Sequence, residues 1–200
     1  MRLWSIVPIS SYVQLLNSKK LRSGPGYPKY NDEVAVCHLD ATHQWLSEQI
    51  VLRIGLPPKG VDHPVWAWHT LDGRHEKPDL RRSEFRIFRE DQICLEIEIP
   101  HEKVVLIDAE SLRMILNDEY CYDVGFEAEL VWYDRLPIEQ KQRAKLASWD
   151  RAFNVFDKGH PCLFIHAALW EIDISQVIGA KRFSGRREGA ALKSMAGFGR

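Results

Sequence analysis

Apolar and polar residues alternate most cleanly in QICLEIEIP, residues 92–100. There Ile93, Leu95, Ile97 and Ile99 fall on one side and Cys94, Glu96 and Glu98 on the other. A period of two predicts a strand whose second face meets water. Similar short runs predict strands at RLWSIV (2–7), PVWAWHT (64–70), KVVLID (103–108) and the long stretch CLFIHAALWEID (162–173). ISQVIGAKRF (174–183) reads as a short strand or turn. Between them the period lengthens. Val34, Cys37, Ala41, Trp45 and Leu52 recur at helical spacing from Asp32 to Arg53, and Gly55 with the Pro57–Pro58 pair ends that helix. ISSYVQLLNSKKL (9–21) predicts a helix capped by the Ser10 or Ser11 hydroxyl. Asp108 caps another that runs to Leu116, and Pro137 opens one that runs to about Phe156. The Asp72–Gly73 pair after the middle strand is a turn signal.

Strands and helices mix without regular βαβ alternation. The expected class is therefore α+β, a single domain over residues 1–183 with small mixed or antiparallel sheets and flanking helices. The tail from Ser184, rich in Gly, Ala and Arg, is expected to be a flexible basic extension. Cys37, Cys94, Cys121 and Cys162 are widely spaced, which suits buried free thiols and a cytoplasmic location. No apolar run reaches membrane-spanning length, so no membrane partner is expected. The formal net charge of -1 conceals basic ends around an acidic middle. From Glu90 to Asp134 the only Lys or Arg residues are Lys103 and Arg113. Such asymmetry either pairs internally or offers one face to an anion.

Candidate chemistry gathers in PVWAWHTLDGRHEKPDLRR, residues 64–82. Strand geometry places Trp66 and Trp68 on one face, either as core or as a platform for a flat ring. Arg74, Lys77, Arg81, Arg82, Arg86 and Arg89 follow, so indoles and guanidinium groups lie close in sequence, as a nucleotide or nucleic acid would require. In the last long strand His166 and Trp170 flank the small Ala168, leaving room for a ligand beside Trp170. His63, His69 and His75 recur every six residues, a spacing that matches metal-ligand patterns only loosely, and no metal is expected. Glu96 and Glu98, about 7 Å apart along a strand, read as the wet face of a sheet. P-loop, G-x-G-x-x-G and nucleophile-elbow motifs are absent.

LWSI at the start, PVWAWH, KPDLR and LWEI near the end resemble a bacterial family known as domain-of-unknown-function family 3841, over about Leu3 to Phe183. The order of first strand, SYVQLLNSKKL helix, ICLEIEIP and IHAALWEID is also similar to small bacterial ADP-ribosyltransferases, DNA-modifying toxins among them. That second resemblance implies an ADP-ribosyltransferase-like fold and NAD as a substrate. It also implies transfer to a nucleic-acid or protein acceptor, with a carboxylate steadying the ribosyl cation. On this chain the first-strand base would fall near Ser5, with Arg2 the nearest cation. Trp66, Trp68 and His69 would support the ligand, with Arg81 and Trp170 beside them. Ala168 occupies the acid position if His166 opens the motif, which leaves His166 and Glu171 as the catalytic candidates. The other reading is a non-enzymatic module that grips nucleic acid or a protein with the same residues.

Overall fold

A computed structural model describes residues 1–23, 33–82, 85, 88, 90–123, 127–158 and 160–184. Arg86, Arg89 and the expected tail beyond Ser184 lie outside the described residues. The elements in order are β1 (Arg2–Pro8), α1 (Ile9–Ser18), β2 (Lys20–Arg22), α2 (Glu33–Ile54), β3 (Val65–Thr70), β4 (Gln92–Glu98) and β5 (Val105–Asp108). They continue with α3 (Ala109–Leu116), α4 (Glu127–Asp134), α5 (Ile138–Ser148), β6 (Ile165–Leu169), β7 (Glu171–Asp173) and β8 (Val177–Phe183). Six strands form one sheet in the order β5-β6-β3-β1-β4-β8, antiparallel throughout, and β2 pairs with β7 in a small second sheet. The α+β expectation holds.

Alternation builds a core on each face of the large sheet. Leu3, Val7, Val65, Ala67, Leu95, Ile97 and Leu169 face Leu15 of α1 and Leu21 and Ile172 of the small sheet. On the opposite face Val105, Ile107 and Ala168 meet Leu46 and Ile50 of α2, Leu112 and Ile115 of α3, and Trp149 in the 3-10 turn after α5. Truncating a side chain as sealed as Leu95 costs about 2–5 kcal/mol, because a cavity replaces its contacts.

Four details depart from the sequence pattern. Pro8, not a serine, is the N-cap of α1, so Ser10 and Ser11 lie inside the helix. The fixed proline φ ends β1 and starts α1 without a spacer. CLFIHAALWEID is not one strand, because it breaks at Trp170 between β6 and β7. The break sends Ile172 to the α1 side although Trp170 packs on the α2 side. The 138–156 helix ends at Ser148 and tightens into a 3-10 turn over Trp149–Phe153. Finally, the Cys94 face of β4 is wet only toward its end, where Glu98 is exposed and Glu96 half-buried. Gln92 and Cys94 are buried, and Lys77 of the segment that follows β3 reaches Glu96 on this face. That segment opens with the expected Asp-Gly turn, in which Asp72 and Gly73 both have positive φ and Leu71 and Arg74 exchange backbone hydrogen bonds. Glycine takes such a φ without the Cβ clash other residues meet.

Candidate functional site

Pairing register places one residue from each strand of the large sheet in a single row. Gly179, Glu96, Trp4, Trp68, His166 and Ile107 are successive cross-strand partners on the α2 side. The segment after β3 roofs one half of this row. Lys77 donates to Glu96 at 2.7 Å, the His75 ring lies 5.4 Å from that of Trp4, and Phe85, 2% exposed, meets Trp68 edge-on at 6.4 Å. Helices roof the other half through Ile107 and its neighbours. The row is open between the two roofs, beside Trp68.

There a cavity of about 690 Å³ lies at the start of α3, with Trp68 as one wall. Its lining comes from the end of β5 and the start of α3, from Tyr122 and Asp123, and from the segment leading into β6. A backbone bond from Gly73 to the Leu163 carbonyl, 2.8 Å, fastens that last segment to the Asp-Gly turn. Another from Ala109 to the Phe164 carbonyl, 3.0 Å, fastens it to α3. The volume falls in the range typical of small-molecule sites.

The polar wall is organised by one buried pair. Asp108 and Lys158, with side chains 10% and 5% exposed, meet at 2.8 Å. Asp108 also accepts from the Ser111 amide at 3.1 Å and from its hydroxyl at 2.6 Å, so one carboxylate both caps α3 and holds the lysine. Burial alone would raise the Asp108 pKa, but hydrogen bonds from Lys158 and Ser111 overcome it and leave the acid below its ordinary range. Burial likewise works against the Lys158 charge, and the bond to Asp108 reverses the effect and raises its pKa. Both groups are therefore charged at neutral pH. Lys158 stands 3.5 Å from Asp123, whose carboxylate is 3.7 Å from His160 Nε2. That buried ring nitrogen has no hydrogen-bond partner among the described residues. Burial pushes the Cys162 thiol up to about 11, so it is not a ready nucleophile.

A family model described as domain of unknown function DUF3841 matches residues 2–178. The chain belongs to the DUF3841 family. No curated protein and no solved structure matches the chain. The DUF3841 match spans every residue that lines the cavity.

Of the residues singled out in the sequence, Trp68 lines the cavity. His166 lies directly behind it, with ring centroids 4.1 Å apart, and Trp66 meets His166 edge-on at 6.0 Å. Burial first, against a backbone bond to Ala67 and the charge of Asp108, holds His166 down at about 4. It is a neutral packing group that stiffens the Trp68 wall. His69 is buried at the sheet end, bonded to Thr70 Oγ1 at 2.8 Å and stacked on His75 at 4.0 Å. Burial, then the positive potential of His75, His101 and the N-terminus, lowers it to about 4.

The remaining candidates lie elsewhere. Trp170 is 7% exposed and donates to the Gly55 carbonyl, which makes it core rather than a ligand contact. Glu171 is in the small sheet, clamped by Lys20 at 2.6 Å and Arg22 at 2.8 Å. His166 and Glu171 are thus in different sheets. Arg2 reaches Glu96 at 3.6 Å, and Arg81 turns to Asp79 on the surface. Arg74, Lys77 and Arg82 also have carboxylate partners, in Glu76, Glu96 and Asp72. Among the described residues of the basic stretch, each Lys and Arg thus faces a carboxylate.

The sequence pointed to Asp108 only as a helix cap and did not single out Asp123, Lys158 or His160. One signal was available for the last two: DKGHPC (157–162) places a lysine and a histidine in a Gly- and Pro-punctuated loop before a core strand. Such loops carry ligand-binding groups disproportionately often. No group of three or more His, Cys, Asp or Glu able to hold a metal stands among the described residues.

Proposed function

We propose that this chain binds a small ligand with a flat heteroaromatic ring, of nucleotide or nucleoside type, in the cavity beside Trp68. The observation that carries the reading is the half-buried indole of Trp68 bordering open space across from ionised side chains. An indole in that position offers a stacking face at little conformational cost, and the ionised wall orients what stacks on it. Trp4, Trp149 and Trp170 are sealed in the interior and offer no such face.

NAD is one ligand of this type, and transfer of its ADP-ribose to a nucleic acid or protein is the enzymatic form of the proposal. Its support is the sequence resemblance of the first strand, the SYVQLLNSKKL helix, ICLEIEIP and IHAALWEID. Binding as such does not involve Glu171, which is occupied by Lys20 and Arg22. The non-enzymatic form needs only the cavity.

Equilibrium titration with NAD, nucleosides and nucleotides tests the reading, followed by intrinsic fluorescence and compared with Trp68→Phe. Saturable binding that Trp68→Phe weakens supports it. Absence of binding across the whole set removes it. Incubation with labelled NAD then separates the two forms. Label transfer that disappears in Glu171→Gln assigns that carboxylate to catalysis, and transfer that persists removes it. For a nucleic-acid partner, affinity should fall steeply with salt as counterions are released.

A further inference from the structure

The charge accounting of the cavity narrows the ligand, and this step rests on the reading above. The cations that line it are already engaged. Lys158 lies against Asp108 and Asp123, and Arg113 against Glu110 at 2.7 Å and Glu119 at 3.6 Å. The lining acids Asp108, Glu110 and Asp123 outnumber the lining lysine and arginine, Lys158 and Arg113, by one. A phosphate entering here would meet more carboxylates than ammonium and guanidinium groups and would have to displace a carboxylate to gain a cation.

Hydrogen-bonding capacity, by contrast, is free at Asp123 and His160 among the described residues. The Asp123 carboxylate makes ion-pair contacts at 3.5 and 3.7 Å but accepts no hydrogen bond among the described residues. Its neighbour His160 Nε2 is buried without a partner. A carboxylate offers several acceptor positions and an imidazole can donate one N–H, so the pair presents an acceptor beside a donor. A buried polar atom left unbonded, as His160 Nε2 is, is costly, and a ligand that bonds it while donating to the part-exposed Asp123 removes that cost.

We infer that the cavity recognises the amide-type edge of an unphosphorylated ring, one N–H beside one ring or carbonyl acceptor, through Asp123 and His160. Its occupant is the base end of a nucleoside, stacked on Trp68, and any phosphate stays outside the cavity. Asp123 accepts from the ring's amino or imino group while His160 donates to the adjacent acceptor. The phenol or indole of an amino acid lacks that paired edge and gains only the stacking.

The test is a calorimetric titration of the intact chain with adenosine, cytidine, guanosine and uridine, and with each 5′-monophosphate, in about 50 mM salt. At least one nucleoside is expected to bind, with its monophosphate no more than about threefold tighter. Asp123→Asn and His160→Gln, each verified as folded by its melting curve, should weaken that nucleoside by about tenfold, the typical loss for a hydrogen bond with a charged partner. A monophosphate more than about threefold tighter overturns the inference, as does unchanged affinity in Asp123→Asn. If monophosphates bind and nucleosides do not, this inference alone falls. If neither binds, the reading beneath it falls as well.

Discussion

Asp108 and Glu171 are both carboxylates held by cations, and their surroundings differ. At the cavity, Asp108 and Lys158 are almost wholly out of water and share Ser111 as a second partner. At the small sheet, Glu171 bridges Lys20 and Arg22 with all three side chains part-exposed. Burial raises and cation contact lowers the pKa of both acids, and in both the second effect prevails. What separates them is the cost of disturbance. A charge sealed from water cannot be rehydrated when its partner is removed, whereas an exposed one can. The pattern of ion pairs therefore says little about function by itself. Adjacent open space with unmet hydrogen bonds says more, and the Asp108 end has both.

Removing Lys158 should show the largest contrast. Lys158→Met leaves Asp108 buried without its cation and is expected to cost about 3–5 kcal/mol, a drop in melting temperature on the order of 10 °C. The double variant Lys158→Met with Asp108→Asn should recover much of that loss. A single variant that melts like the parent would erase the distinction between the two clusters.

Acid should act next, again at the Trp68 end. His69 and His166 both titrate near 4 in the folded chain, against about 6.5 when unfolded. The unfolded state binds the extra protons first, so stability is full above about pH 6.5 and falls as the pH drops toward 4. Each histidine is worth roughly 3 kcal/mol over that window. His166→Gln keeps a side-chain amide that can donate to the Ala67 carbonyl but removes the titration. Its melting temperature is expected to depend less steeply on pH between about 6.5 and 4. Asp108 acts lower: its contribution is present above the ordinary aspartate range and is lost as the pH falls through its depressed value.

Trp68→Ala should cost about 1–3 kcal/mol, less than the 3–5 kcal/mol expected for the core residue Trp170→Ala, while removing ligand binding that Trp170→Phe retains. Glu171→Gln should be the mildest change, about 1 kcal/mol or less by thermal denaturation, because water and two part-exposed cations absorb it.

Much of the scaffold was legible in the chain because local rules governed it. β4 follows its period-two pattern, Asp108 its capping chemistry, and Asp72–Gly73 its need for positive φ. Trp68 and His166 were each read as ligand candidates on a strand face, and antiparallel pairing makes them direct partners. What escaped depends on distant contacts. The break at Trp170 is set by a bond to Gly55 and by the pairing of Glu171 with Arg22, each far away in sequence. The three-residue strand β2 and the eight-residue helix α4 are too short to leave a periodic trace. The polar wall joins Asp108, Asp123, Lys158 and His160, which only the fold brings together.

The central claim is that Trp68, of the seven tryptophans, faces a ligand. Indole N–H resonances in a two-dimensional NMR spectrum, with the Trp68 signal assigned by its loss in Trp68→Phe, test it directly during nucleoside titration. The account expects the largest shift at Trp68, saturating with ligand, while Trp149 and Trp170 stay nearly still. A saturating shift at the 51% exposed Trp132 with Trp68 unmoved would contradict it.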